Sequence, residues 1–447
     1  MTVRAREAIA VTERAPESSG WYRIYVLGFL LVANTFNLFD RLVLSILQES
    51  IKKELALSDS ELGALTGLGF AIFYAILGIP IARYADRSVR TRVITISLCV
   101  WSLMTALCGF AKNFAMLLAF RVGVAVGEAG CTPPAHSIIS DYFPKERRVM
   151  AQSIYALGGP LGVIIGLAVG GWLNEMIGWR KTFVIVGLPG VLVALVGYFT
   201  LREPRRGLSD GLAGHGHAQI PIREVAQLLW RSAPFRNLAC GCALIGLVGN
   251  AVVSWNPPFY SRVHSLGSAD IGMWLGLLYA LPLAAGTLLG GALGDRLGRR
   301  NARWYLWVPG LAVLIMLPVA LAQYNAASVT VSLALSTGPA LVLGMYVAPC
   351  FGVTQMLVPV SMRASASAVL LLILSLVGVG LGPFVTGVLS DVFHAQGYGH
   401  ASLGRAISLV IFLFIPAGVF LLRGGSRLAD ALVASPAAAT DRDAAAR

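Results

Sequence analysis

Apolar stretches long enough to cross a bilayer recur along the whole chain. An α-helix needs about 20 mainly apolar residues to cross the hydrocarbon core, and the hydropathy pattern resolves into twelve such stretches. Of the 447 residues, 56% are hydrophobic and only 13% are charged, which is not the composition of a soluble domain. Because lipid cannot satisfy backbone polar groups, the sequence predicts an all-α, multi-pass membrane protein.

The twelve predicted spans form two groups of six. Their approximate bounds are 21–47, 60–84, 92–111, 114–142, 147–174, 180–201, 234–262, 269–296, 302–322, 327–357, 363–392 and 402–423. We expect a tail over 1–20, two six-helix bundles over 21–201 and 234–423, a linker over 202–233, and a disordered tail over 424–447. Glycines at every fourth position of the fifth span predict the close approach of another helix; these are Gly158, Gly162, Gly166 and Gly170.

Basic residues predict the orientation of the chain. Lys and Arg concentrate in the connections on one side of the spans, which by the positive-inside rule places both termini in the cytoplasm and the protein in the inner (plasma) membrane. The formal net charge of +13 is explained in this way, and we expect no binding of nucleic acid. Residues 222–232 have the pattern of an amphipathic helix on the inner membrane surface, although a solvated linker fits equally well.

Four charges inside apolar spans predict the functional site. Asp40 and Arg41 lie in the first span, and Arg121 and Glu128 lie in the fourth. A charge near the bilayer centre costs about 2.5–3.5 kcal/mol even on a lenient scale, so such residues normally face a bundle interior or a wet cavity. Seven residues are nearly two helical turns, which puts Arg121 and Glu128 on one face. Asp40 and Arg121 have similar predicted depths, so they could pair.

The two halves of the chain repeat each other. Pro134, Pro144 and Arg148 align with Pro349, Pro359 and Arg363, at an offset of 215 residues. The segment after the second span, with Asp86, Arg87 and Arg90, aligns with the segment after the eighth, with Asp295 and Arg299. Parallel repeats of six spans place a binding site near the midplane, between the halves.

The charges of the fourth span have no counterpart in the second repeat, where Ser336 and Leu343 align with Arg121 and Glu128. Such unmatched charges indicate chemistry that the scaffold does not need. A buried carboxylate can take up a proton, whereas a guanidinium keeps its own, so Asp40 or Glu128 is the predicted proton acceptor. Protonation would free Arg121 to bind a phosphate or carboxylate. The alternative is an ion-pair cluster that only pins two spans together.

Residues 291–300 resemble the cytoplasmic loop motif of the major facilitator superfamily, G-x-L-x-D-R-x-G-R-R. Segments 34–41, 126–129, 140–148 and 155–162 are similar to the Spinster-type branch of that superfamily, whose animal members export sphingosine phosphate or lysophospholipids. The organic-anion and proton symporters are also similar, with an Asp-Arg pair in the first span and Arg and Glu seven apart in the fourth. The resemblance covers nearly the whole chain and implies a twelve-helix transporter fold.

The resemblance also implies a gating relay at the cytoplasmic ends of the spans. Its candidate residues are Asp86, Arg87, Arg90, Asp141, Glu203, Asp295 and Arg299. Arg90 is expected to bridge Asp141 and Glu203, whereas Met356 stands at the second-repeat position of Asp141, so the second relay is expected to be incomplete. Solvated loop charges that only set orientation are the alternative.

Few polar groups stand among the many apolar residues of the spans, which favours an amphipathic substrate over a sugar. Asn37, Tyr155, Trp255 and Asn256 join Arg41 and Arg121 as candidate contacts, although each also fits as packing. We therefore expect a proton-coupled transporter of an amphipathic, anionic molecule such as a lysophospholipid or sphingoid phosphate, or alternatively a sugar-acid symporter. We expect a monomer without a cofactor or metal. No motif favours an enzyme, and the repeated halves disfavour a channel.

Overall fold

Helices provide all the regular structure in the part of the chain that the structure describes. The computed structural model describes residues 20–204, 222–359 and 362–433. In the first half the α-helices are Gly20–Leu55, Asp59–Gly63, Gly69–Arg87, Arg90–Cys108, Phe114–Ala129, Thr132–Tyr142, Lys145–Ala156, Gly158–Thr200 and Ile222–Arg231. In the second half they are Ala233–His264, Ser268–Leu275, Leu281–Gly298, Trp304–Asn325, Val329–Met345, Val347–Met356, Arg363–Ile373, Gly382–Phe393, Ser402–Ile411, Phe414–Ser426 and Leu428–Val433.

Wider π-helical turns continue several of these helices. They are Ala64–Leu68 in the second span, Gly276–Ala280 in the eighth, and Leu374–Leu381 and His394–Tyr398 in the eleventh. A π turn is rare and often marks a functional position in a helix. Here all four lie in spans that border the opposite half of the molecule.

Ten helical runs of the described ranges are long and apolar enough to cross a membrane. Two of them, Met150–Thr200 and Ser365–Ser426, contain 51 and 62 residues, which is room for two crossings each. The first run is broken at Gly178, with φ +78°, and the second at Gly397, with φ +89°. Only glycine adopts such angles readily. The runs therefore provide twelve spans, and the predicted all-helical architecture is confirmed.

Two predicted boundaries are wrong. The first span continues to Leu55 instead of ending at 47, because Ile51 is fully buried and holds the polar last turns against the bundle. The tail predicted to be disordered from 424 is helical as far as Val433, with Leu428 buried. Residues 1–19, 205–221 and 434–447 lie outside the described residues, and the division into two bundles stays a prediction.

The predicted helix of the linker is present as Ile222–Arg231. Val225 and Leu229 on its apolar face are buried, and the helix packs against the starts of the seventh and eleventh spans. Its position on a membrane surface stays a prediction.

The glycines of the fifth span pack against the first span, which confirms the predicted close approach. A Cβ atom on Gly162 would lie 2.5 Å from the carbonyl oxygen of Thr35, and one on Gly166 would lie 3.1 Å from that of Phe39. The first span packs more extensively against the helical run Gly158–Thr200, which contains the fifth and sixth spans, than any other pair of helices in the described part of the chain.

The first six spans meet the last six through the second and eleventh spans and through the fifth and eighth. Glycines make both contacts close, for example Gly63 against the backbone of Pro383 and Gly272 against the backbone of Leu167. We call the end of the molecule that holds Leu55 and Arg262 the sealed end. The opposite end, which holds Arg90, is called the relay end.

Candidate functional site

Arg41 and Glu128 form an ion pair between the first and fourth spans. Arg41 Nη2 lies 2.7 Å from Glu128 Oε2, and Arg41 Nε donates to the same oxygen at 2.8 Å. The side chain of Glu128 is fully buried, whereas that of Arg41 is 26% exposed. The guanidinium of Arg41 also lies over the ring of Phe70, 4.4 Å from its centroid, and 5.3 Å from that of Tyr74. The second span therefore shields one side of the pair.

Asp40 points away from this pair, toward the third span. Its Oδ2 accepts a hydrogen bond from Thr105 Oγ1 at 3.1 Å, and the residue is 1% exposed. The second oxygen, Oδ1, is buried without a hydrogen-bond partner among the described residues. Neighbouring residues of a helix point about 100° apart, which explains why adjacent Asp40 and Arg41 face different spans.

Arg121 is the least satisfied charge of the cluster. The residue is 2% exposed, and its Nε and Nη1 atoms have no hydrogen-bond partner in the described part of the chain. It lies close enough to Asp40 and Glu128 to interact electrostatically with both. Its guanidinium carbon is 5.8 Å from the centre of the Phe70 ring. A buried, incompletely bonded guanidinium is a strong potential partner for an anion.

The predicted pairing of Asp40 with Arg121 is wrong for this conformation. The ion pair within 4 Å is Arg41 with Glu128, and Asp40 bonds to Thr105 instead. The depth estimate failed because the first span runs eight residues further than predicted, to Leu55, which displaces its inferred outer end.

Of the other candidate contacts, two lie in the first six spans near the cluster. Asn37 is buried beside Glu128, and its Nδ2 has no partner among the described residues. Tyr155 is 3% exposed, and its hydroxyl has no hydrogen-bond partner within the described ranges. The centroid of its ring lies 5.1 Å from that of the His136 ring. Asn37 therefore supplies a polar group next to the ion pair, and the hydroxyl of Tyr155 is a second buried polar group of the first six spans.

Trp255 and Asn256 do not join the cluster, in contrast to the prediction. The indole of Trp255 donates to the carbonyl oxygen of Pro383 at 2.9 Å, which ties the seventh span to the eleventh. Asn256 Oδ1 accepts from the hydroxyl of Tyr324 at 2.6 Å. Both residues are buried within the second half, and Asn256 Nδ2 has no hydrogen-bond partner among the described residues, so a role as substrate contacts stays a prediction.

Arg90 bridges Asp141 and Glu203 at the relay end. Its Nη1 lies 2.5 Å from Asp141 Oδ2, and its Nε lies 2.6 Å from Glu203 Oε1. Arg90 is almost fully buried. The cluster connects the third, fourth and sixth spans, all of them in the first half, so it does not by itself hold the two halves together. A gating role stays a prediction.

The remaining gating candidates form no such cluster. Arg87, Asp295 and Arg299 are exposed. The side chain of Asp86 lies outside what the structure describes. The second-repeat relay is thus open to solvent in its described members.

A charged cluster at the sealed end was not predicted from the sequence. Arg262 of the seventh span donates to both oxygens of Asp59, at 2.7 and 2.9 Å, and to Glu49 Oε2 at 2.7 Å. Lys52 and Ser390 add contacts to Asp59, at 2.5 and 2.6 Å. These bonds join the first, second, seventh and eleventh spans, and therefore both halves.

The carboxylate of Asp391 adds a second connection at the same end. Its oxygens accept from the backbone nitrogens of Asp59 and Ser60, at 3.0 and 2.8 Å. An acid at a helix N-terminus satisfies free N–H groups and complements the helix dipole. The sequence offers one signal for this, the capping pattern of Ser58 and Glu61, which marks the helix start. Its partner 332 positions away along the chain carries no local signal.

Comparison with known proteins agrees with the fold and the repeat. Residues 29–383 match the Major Facilitator Superfamily. An MFS-type efflux pump of Mycolicibacterium smegmatis is 33% identical over 394 residues, which cover 86% of this chain and 88% of the pump. The probable L-galactonate transporter of Escherichia coli is 24% identical over 393 residues, 83% of this chain and 84% of the relative.

A solved structure of a bacterial homologue of the human lysosomal transporter Spinster is similar over almost the whole chain. It superposes with a TM-score of 0.84 at 33% identity and covers 92% of this chain and 99% of that chain. That protein is in an inward-facing and unoccupied conformation. Fold, repeat and relatives agree that this is a transporter and not an enzyme. The chain belongs to the Major Facilitator Superfamily and is one of its Spinster-like members.

Proposed function

We propose that the chain is a proton-coupled secondary active transporter of an amphipathic, anionic organic molecule. The observation that carries the proposal is the state of Arg121, which is buried beside two buried carboxylates with two nitrogens that have no hydrogen-bond partner among the described residues. Such a group provides a site for a phosphate or carboxylate. The proposed substrate is a lysophospholipid or sphingoid phosphate, transported by alternating access.

Protons enter the mechanism through charge balance. With both acids ionised, Asp40, Arg41, Arg121 and Glu128 sum to zero. One proton on either carboxylate leaves a positive charge in a medium of low dielectric constant, where charges interact strongly. An anionic headgroup at Arg121 restores neutrality, so proton and anion favour each other's binding. Glu128 is the first candidate because its Oε1 is buried with no hydrogen-bond partner in the described part of the chain and because a proton on Glu128 would release Arg41.

The apolar surroundings support an amphipathic substrate. Arg41 and Arg121 both lie against the ring of Phe70, and Asn37 is a polar neighbour of Glu128. A sugar acid needs many hydrogen bonds along its length, whereas a lysolipid needs one anion site and an apolar path.

A sugar-acid proton symporter is the second candidate. The observation that favours it is the 24% identity to the probable L-galactonate transporter over 83% of this chain. In both candidates Arg121 binds the negative charge of the substrate. They differ in the groups that bind the rest of the substrate.

The proposal includes an orientation. Both termini and the relay end face the cytoplasm of the inner membrane, as the basic connections indicate. The sealed end then faces outward, and the conformation described here is inward-facing. The protein works as a monomer, with the bilayer and the substrate as partners.

Proton movement in proteoliposomes tests this function. Purified protein would be given lysophosphatidylglycerol, sphingosine phosphate or galactonate, and the internal pH would be followed with a trapped dye. We expect a pH change with the lysolipids, reduced at least tenfold in Glu128→Gln and reduced in Asp40→Asn. Glu224→Gln, which changes an exposed acid on the linker helix, is the matched control.

Each outcome decides one part of the proposal. A response to galactonate alone would replace the lysolipid assignment with the second candidate. Proton movement at the wild-type rate in both Glu128→Gln and Asp40→Asn would refute the proton-coupling role of the cluster.

A further inference from the structure

The first half carries a groove on its outer surface that the transport mechanism does not use. It has a volume of about 650 Å³ and is bordered by the second, third, fourth and sixth spans. Its lining includes Tyr84, Arg92, Val93, Ile96, Val100, Gly127 and Tyr198. Glu128 follows Gly127 directly, and Glu128 is fully buried. The groove therefore lies behind the charge cluster, on another face of the fourth span.

The two ends of the groove differ in chemistry. Arg92 stands at the relay end, one turn into the third span. From there the lining continues through Val93 and Ile96 to Val100, eight residues or about 12 Å further along the helix. Ile96 is 56% exposed and Val100 is 36% exposed. A cationic end and an apolar body match the charge and shape of a phospholipid.

Arg92 is available for a ligand. It is exposed and forms no ion pair with any acid whose side chain the structure describes. Arg90, two residues earlier, is instead buried and fully engaged with Asp141 and Glu203. Tyr84 and Tyr198, 67% and 50% exposed, flank the groove. Aromatic residues with a polar tip are typical of the level of the lipid headgroups.

We propose that this groove binds one anionic phospholipid of the bilayer, with the phosphate at Arg92 and an acyl chain along Ile96 and Val100. Basic pockets between spans on the cytoplasmic side are known to select anionic headgroups. A lipid in this position contacts four spans, three of which Arg90 also joins. It therefore stabilises the relay end of the first half. The site is separate from the proposed substrate path and does not depend on the proposed substrate.

Native mass spectrometry of the full-length protein with added phosphatidylglycerol or phosphatidylcholine tests the proposal. We expect one retained phosphatidylglycerol per chain and about fivefold weaker retention in Arg92→Gln, since one arginine near an anionic headgroup contributes about that factor. Ile96→Trp, which fills the apolar part, should lower retention of both lipids. Arg300→Gln, which changes an exposed arginine that follows the eighth span, is the control.

The results separate a built site from general attraction to a basic surface. Equal losses in Arg92→Gln and Arg300→Gln would refute the site, and so would equal retention of the two lipids by the wild type. Retention unchanged in Ile96→Trp would refute the placement of the acyl chain. A thermal melt in phosphatidylcholine shows that each variant is folded, and added phosphatidylglycerol should raise the melting temperature of the wild type but not of Arg92→Gln.

Discussion

Each end of the molecule carries a charged cluster, but only one of the two clusters connects the two halves. At the sealed end Arg262 joins Asp59 and Glu49 across the two halves. At the relay end Arg90 joins Asp141 and Glu203 within the first half alone. Both arginines are largely buried, yet only the first cluster has to break when the halves move apart. A buried ion network can therefore act as a lock or as a brace, depending on which spans it connects.

Breaking the lock should have the largest effect. Arg262→Gln leaves Asp59, whose side chain is 3% exposed, without its bidentate partner, and breaking a buried pair typically costs about 3–5 kcal/mol. We expect the sealed end to open. Spin labels at Lys53→Cys and His400→Cys, both exposed and in opposite halves, would show a longer distance by pulsed electron resonance.

The matched control for the lock is Arg180→Gln. Arg180 pairs with Glu54 at the same end, 2.7 Å apart, but both belong to the first half. The label distance should stay at its wild-type value. An unchanged distance in Arg262→Gln, or an equal change in both variants, would contradict the assignment of the lock.

Removing the brace should reduce stability without opening the sealed end. Arg90→Gln removes a charged partner of Asp141 and Glu203. We expect the free energy of unfolding to fall by about 2 kcal/mol, less than for the lock, because Glu203 is already partly solvated. We expect a lower melting temperature in detergent and an unchanged distance between the labels at 53 and 400. A longer distance would show that Arg90 also holds the halves together.

A smaller effect is expected from the helix cap supplied by Asp391. Asp391→Asn weakens two hydrogen bonds to the start of the second span, Asp59 N and Ser60 N, and a cap of this kind contributes about 1 kcal/mol. The distribution of distances between the spin labels at 53 and 400 should contain a minor population of longer distances that the wild type lacks. A distance distribution identical to that of the wild type would show that the Asp391 cap does not help to keep the sealed end closed.

The smallest effect is expected from the second-repeat relay. Asp295 and Arg299 are exposed, and exposed charges contribute little to stability. Asp295→Asn should leave both the melting temperature and the label distance unchanged. A loss as large as that of Arg90→Gln would show that the two relays are equivalent after all.

The fold was predictable from the sequence because lipid imposes strict rules on a spanning chain. Hydropathy located all twelve spans, and the offset of 215 residues identified the repeat. The glycines of the fifth span predicted a close neighbour, which is the first span. The end of the first span was predicted wrongly because its last turns are mostly polar, with only Ile51 buried against the bundle. A hydropathy average cannot detect one buried residue in a polar turn.

The members of the charge cluster were predictable, but its pairing was not. A charge in an apolar span is visible in the sequence, and this marked Asp40, Arg41, Arg121 and Glu128. Which acid pairs with which arginine depends on the rotation and the depth of each helix to within one turn. The wrong end of the first span made the inferred depth of Asp40 wrong. The role of Thr105 as the partner of Asp40 has no signal of its own among the many threonines of the spans.

The lock at the sealed end was also beyond the sequence. Nothing local in the sequence links Lys52 or Arg262 to Asp59. Such contacts between the halves depend on the conformational state as well as on the fold, and a repeat alignment cannot find residues that lack a counterpart.

The central claim is that the anion and the proton bind together at the cluster of Arg121 and Glu128. Isothermal titration of lysophosphatidylglycerol into the purified protein, in two buffers of different ionisation enthalpy, counts the protons taken up for each ligand bound. We predict about one proton per ligand for the wild type and none for Glu128→Gln, with much weaker binding in Arg121→Gln. Equal proton counts in the wild type and Glu128→Gln, or unchanged binding in Arg121→Gln, would contradict the claim.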